Sequence, residues 1–337
     1  MIKYRQIKKQ KGEINMRNPK VVVIGGGSGL SVVLRGLKHF PIDISAIVTV
    51  ADSGGSSGIL KKEFNIPAPG DLRNVMIALS NVEPLIEEVF QYRFKKESSI
   101  GGHPLGNLLI TAMTEITGDV QVAIKKLRKL FNIQGKILPA TLEKIELIAE
   151  KESGGFVFGE SDIPVLGERI KRVFYNGKVN SPEENIKAIN EADLIVFSIG
   201  SLYTSIIPNL LLENMQEALK RSKAKKIYIC NAMGQMGETE NYSVADHIDS
   251  INRHVGFDMV DNVIVNSYEI PHDIIDRYLE EGSTPVELDL ERLEEMRVKV
   301  ILEDLIKIDD EKRVRHLSYK LGAVIYSQID NLENFYD

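Results

Sequence analysis

Cysteine is almost missing from this chain: Cys230 is the sole one in 337 residues. Without a second thiol, neither an intrachain disulfide nor a cysteine-based zinc site can form, and a reducing, cytoplasmic location is expected. Also missing is any run of about 18 apolar residues, so no membrane span is expected. The segment Met1 to Met16 is basic (Lys3, Arg5, Lys8, Lys9, Lys11) but lacks the continuous apolar stretch of a signal peptide. Residues 1–16 are expected to form a loose arm ahead of a single folded domain at 17–337. Excess positive charge is lacking too. The balance of 42 Lys plus Arg against 48 Asp plus Glu, a net of −6, offers no general attraction to a nucleic acid backbone, so no nucleic-acid partner is expected. The six histidines contain no H-x-x-x-H pair for a metal on a helix, and no Ser-His-Asp set can be read off the chain.

What is present is enough apolar residue, 43% of the chain, to bury a large core. Short β-branched runs recur, each leading through a polar or glycine-rich turn into a helical pattern: Lys20 to Ile24, Asp43 to Val50, Leu194 to Ile199, Ile227 to Cys230 and Val263 to Val265. Such runs read as strands buried on both faces. Helical patterns lie between them, at Leu30 to Phe40, Leu72 to Leu79, Leu105 to Ile116, Pro182 to Asn190, Ile206 to Arg221 and Val244 to His254. This alternation predicts an α/β, doubly wound, mostly parallel, Rossmann-like sheet. Between about Lys136 and Lys178 the pattern changes to short alternating runs, which predicts a small antiparallel excursion inserted between the two halves of the sheet. A last strand is expected at Val298 to Glu303 and a helix from Val314 to Ile329.

The turns carry the chemistry. Gly25-Gly26-Gly27-Ser28-Gly29-Leu30 follows the first strand and opens a helix, where backbone amides and the helix dipole can hold a phosphate without any net basic charge. Counted from Gly25, G-x-G-x-x-G places Leu30 where the third glycine belongs, so the strict dinucleotide fingerprint fails, and an NAD-dependent dehydrogenase is disfavoured. The Lys-Ser/Thr ending of a P-loop is missing as well. The second strand ends at Asp52, followed by the loop Ser53-Gly54-Gly55-Ser56-Ser57-Gly58, a second candidate for oxyanion binding. Asp52 is placed where an acidic group meets a ribose or, beside phosphates, a divalent metal such as Mg²⁺.

Further turns open helices at Pro69-Gly70-Asp71-Leu72-Arg73-Asn74 and at Gly102-His103-Pro104-Leu105-Gly106-Asn107. Asp71 can cap its helix, Arg73 can offer a forked cation, and His103 is either an acid–base group or a solvated loop residue. Later turns hold Gly200, Ser201, Tyr203 and Thr204, and then Asn231 and Gln235. In an open parallel sheet all of these share the rim at the carboxyl ends of the strands. Their convergence on one crevice predicts a phosphate-bearing ligand, with the glycine turns on its diphosphate and the remaining residues on ribose, base or sugar.

Taken in order, the segments Gly25 to Gly29, Thr49 to Gly58, Pro69 to Arg73 and Gly102 to Asn107 resemble the YvcK group of the CofD-like family, the gluconeogenesis factors. The resemblance runs from about Pro19 to the last helix. It implies a cytoplasmic bacterial protein that binds UDP-sugars such as UDP-N-acetylglucosamine or UDP-glucose. It also implies a role in cell shape and peptidoglycan synthesis during growth on gluconeogenic carbon sources, exercised through regulatory or wall-synthesis protein partners; a homo-oligomer is compatible with it. The enzyme branch, 2-phospho-L-lactate transferase, is a Mg²⁺-dependent phosphotransferase. The Asp52 to Gly58 signature sets this chain nearer the non-enzymatic branch, and no catalytic residue is assigned. Ile199 and Met236 stand where the group pattern has Pro, which bears on the assignments of Ser201, Tyr203, Thr204 and Gln235.

Overall fold

Lys20–Gly25 (β1) has five consecutive buried residues, the signature of a strand covered on both faces. The computed structural model describes residues 17–95, 97–98, 100–166 and 168–329; the arm expected at 1–16 lies outside them. Asp43–Val48 (β2) and Lys136–Pro139 (β3) lie to one side of β1, and Leu194–Phe197 (β7), Lys225–Ile229 (β8), Asn262–Asn266 (β9) and Lys299–Glu303 (β10) to the other. Between the halves, Leu147–Lys151 (β4), Phe156–Phe158 (β5) and Ile170–Tyr175 (β6) form a separate three-stranded antiparallel sheet. The main sheet has the order β10-β9-β8-β7-β1-β2-β3, with every neighbouring pair parallel. Successive strands move outward on one side of β1 and then on the other, so the order reverses between β1 and β7. That reversal leaves a crevice outside the carboxyl ends of the two strands.

The first half carries Gly27–Leu37 (α1), Gly55–Phe64 (α2), Pro69–Ala78 (α3), Glu83–Gln91 (α4), Leu105–Thr117 (α5) and Val120–Leu130 (α6). The second half carries Glu183–Asn190 (α7), Ile207–Leu210 (α8), Glu213–Arg221 (α9), Val244–Val255 (α10), His272–Glu280 (α11), Leu290–Glu295 (α12) and Ser318–Tyr326 (α13). The terminal helix α13 returns to pack on α1. A Cβ at Gly36 would overlap the Ser318 carbonyl, and one at Gly322 would stand 2.6 Å from the Gly36 carbonyl carbon, so the two backbones touch through paired glycines.

Four expectations change. Lys136–Pro139 pairs with β2 as the edge strand of the main sheet, so the antiparallel excursion starts after it. Ser53 to Gly58 is not one long loop: its last four residues already belong to α2, with Gly54 as the cap. The helix expected at Ile206 to Arg221 is divided into a single π-turn at Leu202–Ile206, then α8 and α9. The stretch from Val314 to Ile329 begins as a strand, Val314–His316 (β12), paired with Ile306–Ile308 (β11), before α13 starts. Helices α2, α4, α6, α11 and α12 are additional to those expected from the pattern.

Candidate functional site

Both glycine turns are built alike. Each follows a buried strand, and each ends in an extended glycine, Gly26 or Gly54, that caps a helix with no side-chain hydrogen bond of its own. The amides of α1 and α2 therefore open toward the carboxyl rim of the sheet. Gly26 is required by space: a Cβ there would overlap the Thr49 methyl and stand 2.8 Å from Asp71 Oδ2. Gly27 is required by conformation, with φ at +65°.

The start of α3 lies between these two turns and touches both. Asp71 Oδ2 accepts a hydrogen bond from the Gly27 amide at 2.8 Å, and a Cβ at Gly70 would overlap Ser57 Oγ and lie 3.1 Å from Asp52 Oδ2. The start of α5 joins on the far side. His103 Nδ1 is 2.8 Å from Ser56 Oγ, and Asn107 Nδ2 donates to the same hydroxyl at 3.1 Å. Buried Arg73 donates through its two terminal nitrogens to Asn107 and Asn74. The amino ends of four helices, α1, α2, α3 and α5, thus meet at one place. Each contributes partial positive charge, an arrangement suited to an anion.

Carboxylates share this place. Asp52 Oδ1 accepts at 2.9 Å from the amide of Gly54, the residue that caps α2. Burial pushes the Asp71 carboxyl up to about 6, against the Gly27 hydrogen bond that favours its charge. Glu160, a residue not anticipated from sequence, comes in from the antiparallel insertion. Burial, reinforced by the charges of Asp52, Asp71 and Glu238, lifts it to about 7. Its neighbour Ser161 donates its amide to Ser53 Oγ, with the two hydroxyls 3.1 Å apart, so the insertion is clasped onto the second turn. Gly159-Glu160-Ser161-Asp162 offered no motif, and its long-range pairing has no local signal.

The later turns contribute differently from expectation. Asn231 bonds Gly200 through both its amide atoms, from the Gly200 amide at 3.3 Å and to the Gly200 carbonyl at 2.9 Å, which locks the β7 and β8 turns together. Ser201, Thr204 and Gln235 are drawn inward around the buried Glu238: Ser201 Oγ and Gln235 Nε2 donate to its carboxylate, and Thr204 donates to Ser201. Burial raises the Glu238 carboxyl. Tyr203 turns into the core, its hydroxyl 2.8 Å from that of Tyr242 and 2.9 Å from Ser250, so it cannot contact a ligand on the rim. The Leu30 side chain is also wholly buried, and Gly106 is pressed against Arg73 and Phe90. Their types follow from packing. Gly25 closes β1, Ser28 and Gly29 lie in the first turn of α1, and Gly55 and Gly58 lie in the first turn of α2, with the carbonyl of Ile199 against Gly29 and that of Ser53 against Gly58.

Among the described residues, no group of three or more His, Cys, Asp or Glu side chains stands close enough to hold one metal ion. Asp52 and Asp71 could supply part of a Mg²⁺ shell, the rest coming from phosphate oxygens and water, as is usual for that ion. No helix of the described residues is long and apolar enough to cross a membrane.

A protein-family model described as 2-phospho-L-lactate transferase CofD matches residues 21–306. A gluconeogenesis factor of Bacillus subtilis is 49% identical over 310 residues, 92% of this chain and 98% of that protein. One of Halalkalibacterium halodurans is 48% identical over 92% of this chain and 96% of its own length. The crystal structure of a Bacillus halodurans protein superposes with a TM-score of 0.89 at 47% identity, over 92% of this chain and all of that one. A second structure of a Bacillus halodurans protein, described as a member of the upf0052 family, gives 0.88 at 47% identity over 91% and 99%. With a Rossmann-like parallel sheet, glycine turns at its switch point and similarity of this extent, the chain belongs to the CofD family, among relatives named gluconeogenesis factors.

Proposed function

We propose that this protein is a cytoplasmic regulatory protein that binds a nucleoside-diphosphate sugar, UDP-N-acetylglucosamine or UDP-glucose, and controls cell shape and wall synthesis under gluconeogenic growth through protein partners. The carrying observation is the meeting of four helix amino ends at the rim, two of them opened by glycine turns. A diphosphate laid across Gly25 to Gly29 and Ser53 to Gly58 would meet backbone amides on both sides. The relatives' name, gluconeogenesis factor, accords with the physiological part of this reading. Isothermal titration with UDP-N-acetylglucosamine is expected to give saturable binding; no heat at millimolar ligand would end the proposal.

A second reading, a Mg²⁺-dependent phosphotransferase, is favoured by the placing of Asp52 and Asp71 beside the same helix ends and by the transferase that gives the family model its description. Incubation with Mg²⁺ and a nucleoside-diphosphate-linked donor would then release a nucleotide, and Asp52→Asn would abolish that release. Absence of turnover in the wild type, with binding intact, favours the first reading.

A further inference from the structure

Ser56 is the second residue of α2, and its hydroxyl meets two side chains from the start of α5. Asn107 Nδ2 donates to Ser56 Oγ at 3.1 Å, and His103 Nδ1 stands 2.8 Å from the same oxygen. A hydroxyl carries one hydrogen, and among the described residues His103 is the acceptor within its reach, so Ser56 donates to Nδ1 and the ring keeps its own hydrogen on Nε2. The direction is fixed from behind. Arg73 Nη1 donates to Asn107 Oδ1 at 3.1 Å, so the amide turns its nitrogen, not its oxygen, toward the serine.

His103 is held through its backbone. Gly102 turns the chain with φ at +79°, Arg93 Nη1 donates to the Gly102 carbonyl at 2.6 Å, and Pro104 keeps the residue before it out of the helix. Arg73 and Asn107 are buried, whereas Ser56 and His103 are partly exposed, so a rigid inner pair supports an outer pair that a ligand can reach. A serine that donates to a neutral imidazole is the arrangement of an activated nucleophile. Its place in the first turn of α2 adds backbone amides that stabilise negative charge developing beside it.

We propose that Ser56 and His103 are a nucleophile and its base, and that they cleave the phosphoanhydride of a nucleoside-diphosphate ester held on the glycine turns. This deepens the transferase reading given above and rests on it. Ser56 Oγ attacks one phosphorus as its proton passes to His103 Nδ1; an Oγ–P bond forms, and the bridging P–O bond breaks with its electron pair on the departing monoester, which takes the proton from His103. Water then attacks the same phosphorus and gives a proton to His103 Nδ1, which returns it to Ser56 Oγ as the Oγ–P bond breaks. Two phosphate monoesters result. An acceptor hydroxyl in place of water turns the second step into a transfer. Asn107 and Arg73 are positioning residues in this scheme.

The test follows UMP release from UDP-N-acetylglucosamine in the presence of Mg²⁺ by the wild type, Ser56→Ala, His103→Ala and Asp52→Asn, with melting temperatures to check folding and UDP titration to check binding. Ser56→Ala is expected to lower release roughly a thousandfold or more while UDP still binds. His103→Ala is expected to lower it roughly a hundredfold or more and to remove the acid limb of the pH profile, which a merely structural histidine would leave in place. Acid-quenched wild type is expected to carry a phosphodiester adduct on Ser56, located by peptide mass, and its mass tells which phosphorus was attacked. Release retained in Ser56→Ala but lost in Asp52→Asn, or an adduct on another residue, overturns the serine nucleophile and leaves the transferase reading standing. No release by the wild type overturns that reading and this pair together.

Discussion

The carboxylate of Asp71, at the start of α3, accepts a hydrogen bond from the backbone amide of Gly27, at the start of α1, at 2.8 Å across 44 residues of sequence. An acidic side chain of the protein thus stands at the helix terminus where a phosphate would be expected to bind. The same carboxyl is pushed up to about 6, mainly by burial. A diphosphate approaching the turn must displace Asp71, find it protonated, or share it with a cation. The electrostatics of the rim are accordingly those of competition between resident carboxylates and incoming phosphate.

Asp71 binds a proton more readily folded than unfolded, since its folded value is about 6 and a free aspartate titrates near 3.9. Between these values the folded state holds more protons, so stability falls as pH rises through the window and is level above it. Asp71→Asn removes the charge while keeping an acceptor for Gly27. It is expected to raise stability by about 2–3 kcal/mol at pH 8, by about half as much at pH 5, and hardly at all below pH 3.5, as read from urea denaturation at the three pH values.

Glu160 titrates at about 7, above the usual carboxylate range, because it is buried and faces Asp52, Asp71 and Glu238. Without added metal, binding of UDP is expected to weaken as pH rises from 6 to 8, because the ligand meets carboxylates that are losing their protons. Glu160→Gln should flatten the upper part of that profile. Calorimetry in buffers of different ionisation enthalpy should show proton uptake on binding in the wild type and less in the variant.

Gly26 has no room for a side chain beside Thr49 and Asp71. Gly26→Ala is expected to cost about 1–3 kcal/mol through overpacking, as measured by denaturant midpoint. Gly26→Asp adds a negative charge facing the diphosphate and is expected to abolish nucleotide-sugar binding in titration.

Gly36 and Gly322 bring the backbones of α1 and α13 into contact far from the rim. Gly36→Ala would force the Ser318 carbonyl aside and is expected to destabilise the protein by about 2 kcal/mol or more, loosening α13 first in hydrogen exchange. Ligand affinity in the folded fraction should be unchanged, which separates this packing defect from a defect in the site.

Arg73 is buried with its terminal nitrogens on Asn107 and Asn74, while Nε has no partner among the described residues. Arg73→Ala leaves Asn107 Oδ1 without its donor and frees the Ser56 pairing from one side. A loss of about 2–4 kcal/mol is expected, together with faster amide exchange at Ser53 to Gly58.

The strands of the parallel sheet were legible because burial on both faces selects unbroken β-branched runs, as in Val21 to Ile24. The glycine turns were legible because helix starts against a strand end need residues without side chains. Lys136–Pro139 was less so: a four-residue edge strand looks the same whether its neighbour is β2 or an antiparallel hairpin. Tyr203 shows the opposite failure. Its place in a polar turn suggested a ligand contact, but the π-turn at Leu202–Ile206 rotates it toward Tyr242 and Ser250.

By itself the sequence determined the parallel architecture and the two turns whose amides face the rim, because both arise from residues adjacent in the chain. Only the tertiary structure decided which charges stand there. Asp71 reaches Gly27 from 44 residues away, and Ser161, beside Glu160, reaches Ser53 from 108. Such encounters depend on how helices and an inserted sheet pack against one another, and no local pattern of residues encodes them.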